Sequence, residues 1–336
     1  MPKSKTGFFE KICTYDNFEA AWEEVAKGKR DKPAYIRFAR TREQYIWDTI
    51  WLLRHHQWKH HPCVHKGIYE PKYRELTIPI LSDRIVHHAV IRQLRPVFDG
   101  YYHDASYACR KGRGQLDACF RLQKLYRKAI GRWGREFHVI SVDLKSFFAS
   151  IDHDVLKRLL RRIIREKETL WILDEIIDAT DKGIPIGFLS SQDFGNYLNS
   201  YIDYFVTDVL HQNLYIRYMD DIRILVRSRA EAKAVLEALA ELCTTKLRLT
   251  LSEKKTHIKP WRGRDTFCGY IVCPHRLMAK PDTVKRAHKR LAKKLRLFMA
   301  GELPLEKVCQ SAESLRAYLA PTFSTLPPLS RTKGVE

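Results

Sequence analysis

A chain of 336 residues, 45% hydrophobic and 29% charged, has the length for two or three sub-domains and the make-up of a soluble globular protein. No run of about 18 apolar residues could span a bilayer. The opening "MPKSKTGFFEKICTYDNFEAAWEE" lacks the apolar stretch of a secretory signal, and eight cysteines without a Cys-x-x-Cys pair match no zinc template, so reduced thiols in a cytoplasmic protein are expected. Sixty Lys and Arg against thirty-nine Asp and Glu give a net charge of +21. A field of that sign favours a polyanion, and the interleaved tyrosines and tryptophans suit nucleic acid bound by charge plus stacking.

The chain shows no internal repeat and no low-complexity segment. Residues 14–60 read as helical, with Asp16 as a cap and Phe18, Trp22 and Val25 on one face; "YIWDTIWLLRHH" continues the pattern. The segment "HHQWKHHPCVH" (His55, His56, His60, His61, His65 and Cys63) has spacings that fit no metal template and reads as a wet basic loop. "GIYEPKYRELTIPI" turns to strand and hairpin, ending at Pro79. "SDRIVHHAVIRQLRPVF" is a helix with Ser82 or Asp83 as cap, and "FHVISVDL" (137–144) is a buried strand. "DHDVLKRLLRRIIREK" is a helix capped by Asp152, with Val155, Leu159 and Ile163 on one face. "SSQDFGNYLNSYIDYFVTDVLHQ" is another helix; a hairpin, the helix "SRAEAKAVLEALAELCTTKL" and short strands at "LRLTLS" and "TFCGYIVC" follow. From Arg276 to Ala300 nine Lys or Arg face one acid, Asp282. Val284, Ala287, Leu291, Leu295 and Phe298 recur at helical spacing and leave the basic residues for phosphate backbone.

The stretch "YIRYMDDIRIL" places Asp220 and Asp221 side by side at the centre of a β-prone run, where a tight hairpin turn between "LYIRYM" and "IRILV" accommodates them. Asp143 ends the buried strand "FHVISVDL". Brought together, three carboxylates repel one another unless divalent cations neutralise them. Two Mg²⁺ ions about 3.5–4 Å apart, with Mn²⁺ able to substitute, are the machinery for in-line attack of a hydroxyl on a phosphate.

"YMDD", preceded by "VDLKSFFASIDH", resembles motifs C and A of the reverse transcriptases, with order and spacing alike over residues 68–300. The resemblance implies an α+β right-hand polymerase fold, with fingers, a palm built on an antiparallel sheet and a helical thumb, behind a mainly helical N-terminal extension. The expected boundaries are 1–66 for the extension (template RNA or partner contacts) and 67–135 for the fingers. The palm takes 136–273, with an interleaved fingers segment at 152–182, and the thumb and tail take 274–336. Asp143, Asp220 and Asp221 match the catalytic metal-binding acids, and Phe148 matches the aromatic gate that excludes a 2′-hydroxyl. "PKYRELTIP" assigns Lys72 and Arg74 to the incoming triphosphate, and "SYACRKGRG" adds Arg110 for phosphate or structural contact. "LTLSEKKTHI" resembles motif D, with Lys255 near the pyrophosphate as a general acid. "TFCGY" resembles the primer grip, with Phe267, Gly269 and Tyr270 in place and Cys268 where leucine is usual. Lys285, Arg286, Lys289, Arg290, Lys293 and Lys294 of the thumb are expected on the nucleic-acid backbone.

Motif B separates subfamilies. "GIPIGFLSSQDFGN" carries Ile186, Gly187, Ser191 and Gln192 in the Ile-Gly-x-x-x-Ser-Gln pattern, which is similar to reverse transcriptases of diversity-generating retroelements. Ile186, Gly187 and Gln192 are then nucleotide-binding. The resemblance implies copying of a template-repeat RNA into adenine-mutagenised cDNA. It implies template RNA, the cDNA primer–template duplex and dNTPs as partners, with a small basic oligomeric accessory protein and no membrane. It also implies a bacterial cytoplasm with a phage- or chromosome-encoded gene. The chain length and the absence of RNase H or endonuclease sequence look like that family. The alternatives are a group II intron-like, retron-like or antiphage-defence reverse transcriptase, and a catalytically inactive RNA-binding scaffold.

Overall fold

The computed structural model describes residues 6–69 and 73–323, apart from the Arg74 side chain. Three helices come first: α1 (Phe8–Ile12), α2 (Tyr15–Ala26) and α3 (Pro33–Arg54). Thr14 rather than Asp16 caps α2, accepting the Asn17 N–H. A cap residue must stay extended, and Asp16 already lies in the first turn. Phe18, Trp22 and Val25 are buried, as their spacing requires.

A hairpin of β1 (Val64–Tyr69) and β2 (Tyr73–Ile78) leads into α4 (Leu81–Asp99) and α5 (Gln115–Trp133). Neither Ser82 nor Asp83 caps α4; Ile80 is the N-cap residue. The fully buried Asp83 instead accepts the His61 backbone N–H and Nδ1–H, both at 2.9 Å. The histidine-rich segment is therefore not wet throughout. The His60 side chain is 2% exposed, its Nδ1 donates to the His61 carbonyl, and its Nε2 faces His87 Nε2 at 3.2 Å. His87 reaches Ser190 Oγ at 3.2 Å, and burial holds its ring far below the usual histidine range, hence neutral. A neutral ring donates from one nitrogen and accepts at the other, which lets it bridge two partners inside the core.

The middle of the chain runs β3 (His138–Asp143), α6 (Phe147–Ser150), α7 (His153–Ile163), α8 (Lys167–Ile177) and α9 (Leu189–Tyr204). Asp152 caps α7 by accepting the Val155 N–H at 2.9 Å, and α9 runs into a π-helical turn, Phe205–Val209. Next come β4 (Tyr215–Tyr218), β5 (Asp221–Val226), α10 (Arg229–Lys246) and β6 (His257–Pro260). These four strands form one antiparallel sheet in the order β4-β5-β3-β6. "LRLTLS" is not a strand: Leu251 makes a single bridge to Leu144, and Ser252 N–H binds the Asp143 carbonyl.

The two-residue period of the strands sorts the sheet into faces. Ile140, Val142, Ile222, Ile224, Val226 and Tyr215 enter the larger core with α4, α9 and α10. Val139, Leu225 and Ile216 enter a second core with α5. That second core also holds Phe267, Tyr270 and Val272 of a small antiparallel sheet, β7 (Asp265–Phe267), β8 (Tyr270–Val272) and β9 (Leu277–Ala279).

The chain continues as α11 (Pro281–Met299) and α12 (Leu305–Phe323). Leu295 and Phe298, expected on the apolar face of α11, are 46% and 39% exposed. Thr283, Val284, Ala287, Leu291, Lys294 and Leu297 are the half-buried positions. A helix paired with one other helix needs only a narrow stripe, and the crossing with α12 places Lys294 in it. Its Nζ donates to the Lys307 carbonyl and to Ser311 Oγ. Among the described residues no helix is long and apolar enough to cross a membrane.

Candidate active site

Antiparallel register fixes the first pair of acids. Asp143 stands directly opposite Asp221 on neighbouring strands, so their side chains share the face that carries Val139 and Leu225. Like charges in cross-strand register are destabilising, which marks the pair as a place for cations. The β4–β5 turn supplies the third acid. Tyr218 pairs with Asp221, leaving Met219 and Asp220 as a two-residue loop; Asp221 itself belongs to β5 rather than to the turn. Met219 has φ of 54°, the positive value such loops need at their first position.

That strained turn is held from below. The Met219 carbonyl accepts from Asn199 Nδ2 at 3.1 Å and Arg217 Nη1 at 3.0 Å. Arg217 is fully buried against the fully buried Asp203, with Nε and Nη2 on its two oxygens at 2.7 and 2.6 Å. Asn196 Oδ1 and Ser106 Oγ take its remaining donors. All five N–H groups of the guanidinium are thereby matched, the condition under which a buried charge is tolerated.

Burial pushes the Asp220 and Asp221 carboxyls above the usual carboxylate range, and Asp143 pushes both further. Side-chain cations oppose this. Lys255 Nζ donates to Asp143 Oδ2 at 2.6 Å, and Arg223 donates to Asp221. Among the described residues no group of three or more His, Cys, Asp or Glu side chains is already gathered around one metal position. The donor set nonetheless fits a divalent cation: hard carboxylate oxygens, two in register and one on the adjoining turn, currently shared with an ammonium and a guanidinium.

The other expected residues fall as follows. Phe147 is buried and Phe148 half-buried beside it, ring centroids 5.1 Å apart. Gly195 makes room for both rings, since a Cβ there would lie 3.0 Å from Phe147 and 3.2 Å from Phe148. Ile186 is 42% exposed and Gln192 is exposed; with Lys29, Arg84 and Gly187, Gln192 lines a cleft of about 290 Å³. Gly187 has φ of 133°, and a Cβ there would sit 2.3 Å from the Thr77 carbonyl oxygen. Its close approach is thus to strand β2. Arg110 Nη1 binds the His103 and Ser106 carbonyls at 2.8 and 3.1 Å, so as folded it knits its own loop. Lys72 and the Arg74 side chain lie outside the described residues. Cys268 and Gly269 form the β7–β8 loop, both with positive φ, between buried Phe267 and Tyr270. Lys285, Arg286, Lys289, Arg290 and Lys293 are exposed on α11, whereas Lys294 is turned to α12.

Arg217, Arg223 and Tyr318 are not among the residues expected at the site. The two arginines were in plain view at alternate positions of an apolar hairpin, where an unpaired charge is unaffordable. Tyr318 of α12 stacks on Tyr270 at 4.9 Å, and its hydroxyl donates to the Gly269 carbonyl at 2.9 Å. Nothing in its local sequence sets it apart.

Residues 64–272 match the family model described as reverse transcriptase (RNA-dependent DNA polymerase). The chain is 26% identical over 308 residues to protein YkfC of Escherichia coli (strain K12), covering 77% of this chain and 75% of that protein. It is 22% identical over 292 residues to the group II intron-encoded protein LtrA of Lactococcus lactis subsp. cremoris, covering 65% of this chain and 47% of LtrA. The apo telomerase structure from Candida tropicalis superposes with a TM-score of 0.56 at 12% identity, over 79% of this chain and 57% of that one, and shares the right-hand fold. The chain thus spans about half of LtrA and less than two thirds of the telomerase chain. The family match covers both acid-bearing strands and the turn between β4 and β5, and the chain belongs to the reverse transcriptase (RNA-dependent DNA polymerase) family.

Proposed function

We propose that the chain is the reverse transcriptase of a diversity-generating retroelement, copying a template RNA into cDNA mutagenised at adenines. The observation that carries this reading is the motif-B loop, where Ile186 and Gly187 precede Ser191 and Gln192 and where the Ile186 side chain is exposed. A glutamine at position 186 could hydrogen-bond near the nascent pair; a branched apolar side chain cannot. A mispair then leaves no buried polar group unmet and is rejected by less than the roughly 1–3 kcal/mol such a group supplies.

Asp143, Asp220 and Asp221 would hold the divalent cations, two Mg²⁺ in this reading, which when bound would supply Lewis acidity toward the primer 3′-hydroxyl and the triphosphate. Lys255 is the proton source for the leaving pyrophosphate. Phe148 sits under the incoming sugar, Gln192 faces the nucleotide, and the exposed α11 cations follow the duplex backbone; Lys72 and Arg74 keep the triphosphate-binding role their motif implies. The N-terminal helices contact template RNA or a small basic accessory protein.

The test is primer extension on a mixed-sequence RNA template with product sequencing, with Asp220→Ala/Asp221→Ala as control. Errors concentrated opposite template adenines, reduced in Ile186→Gln with little change in total extension, are expected. Faithful extension would instead favour a group II intron-like enzyme, the reading that the likeness to LtrA supports. Binding of RNA without extension under any metal would leave only a scaffold.

A further inference from the structure

The alternation of β5 buries Ile222, Ile224 and Val226 on one face and leaves Asp221, Arg223 and Leu225 on the other. Arg223 is thereby placed two residues from Asp221 on the same side, opposite the small Ser141. Its side chain is only 8% exposed, so its charge must be matched inside the protein. The matching groups come from two directions. Nη1 donates to Asp221 and to the Ile222 carbonyl, the latter at 2.9 Å. Nε donates to Asp265 Oδ2 at 2.7 Å and Nη2 to the Thr266 carbonyl at 2.8 Å, while the guanidinium lies over the Phe267 ring at 5.1 Å.

Asp221 belongs to the four-stranded sheet and Asp265–Phe267 to the three-stranded one, and the two sheets share no strand ladder. Arg223 is hydrogen-bonded to both. The far side of β7–β8 is fastened in turn by Tyr318, on the Gly269 carbonyl and against the Tyr270 ring. We infer that Arg223 is a positioning residue that ties the carboxylate of Asp221 to the primer-grip strand, so that the primer terminus and the metal-holding acid keep one fixed geometry. This rests on the proposed reading of Asp221 as a metal ligand and of Phe267–Tyr270 as the primer grip. The planar fork matters: a guanidinium reaches both elements at once, whereas an ammonium presents its donors from one point. The same guanidinium offsets part of the negative charge that draws a cation to the acids. Removing it leaves a site that attracts metal more strongly and aligns the primer less well.

The experiment uses the full chain with Arg223→Leu, Arg223→Lys, Asp265→Ala and Asp221→Asn. Three readouts are taken: Mn²⁺ binding to nucleic-acid-free protein by electron paramagnetic resonance, the urea midpoint, and single-turnover extension at saturating dNTP and metal. Arg223→Leu is expected to bind Mn²⁺ several-fold more tightly yet extend about 10²-fold more slowly, the scale of a misplacement near 1 Å. Arg223→Lys keeps the charge, so Mn²⁺ affinity stays near wild type while extension still falls about tenfold or more. Asp265→Ala slows extension without touching Asp221. Slower extension of Arg223→Leu with weaker Mn²⁺ binding and a lower midpoint would reduce the arginine to a fold support and overturn the inference. So would wild-type extension by Arg223→Lys and Asp265→Ala, which decide the matter if Arg223→Leu does not fold. Asp221→Asn separates the two levels. If it neither weakens Mn²⁺ binding nor stops extension, the reading of Asp221 fails; if it does both while the Arg223 variants match wild type, only the arginine's role fails.

Discussion

Replacing Arg217 by Met keeps the volume and removes every donor. The structure then leaves Asp203, fully buried, with the Tyr215 hydroxyl as its remaining side-chain donor, and strips a donor from Asn196, Ser106 and the Met219 carbonyl. Breaking a buried ion pair from one side costs about 3–5 kcal/mol, a large fraction of the roughly 5–15 kcal/mol that holds a domain folded. With a urea slope near 3 kcal/mol per M, the midpoint of Arg217→Met falls by about 1 M or more. The double variant Arg217→Met/Asp203→Leu removes the stranded carboxylate and recovers at least half of that loss. Extension does not recover with it, because the positive-φ turn at Met219 loses one of its two side-chain tethers among the described residues and keeps Asn199. Urea unfolding of the three proteins, followed by single-turnover extension, checks both halves. A midpoint shift below about 0.3 M for Arg217→Met, or a double variant no more stable than the single one, would refute the reasoning.

Gly187→Ala forces a Cβ to within 2.3 Å of the Thr77 carbonyl at a φ of 133°, adding strain of about 1–3 kcal/mol. The loop must move off β2, and the dNTP KM in steady-state extension rises about tenfold; a KM within twofold of wild type would show the contact to be slack. Asp220→Asn raises the melting temperature of the metal-free protein at pH 7.5 by roughly 1–3 °C. The sign follows from the raised carboxyl: its penalty is fully present above the folded pKa and disappears as pH falls toward the unfolded value. The gap between variant and wild type therefore narrows in melts at lower pH, and a gap that widens on acidification contradicts the assignment.

Elements with strong local codes are legible from residue pattern. Strand "FHVISVDL", the hairpin around "YMDD", the Asp152 cap and the helix of Val155, Leu159 and Ile163 stand where periodicity places them. Alternation alone puts Asp143 on the face of Val139, because each strand has a single in–out choice once its apolar set is fixed; that Asp221 belongs to β5 and not to the turn came from the ladder with Tyr218 and Asp143. Whatever needs a distant partner is fixed only when the chain has packed. Asp83 gives up capping α4 because His61 arrives from another segment, and His60 is dry because His87 and Phe188 close over it. Leu295 and Phe298 are left outside because, among the described residues, α12 is the element that packs substantially on α11. Which residue faces Asp143 is a matter of register, and which groups satisfy Arg217 and Arg223 depends on Asp203 and Asp265, brought in from other elements. A buried charge is legible in sequence as an anomaly. Its partner is not, since pairing energy depends on distance in space and not on separation along the chain.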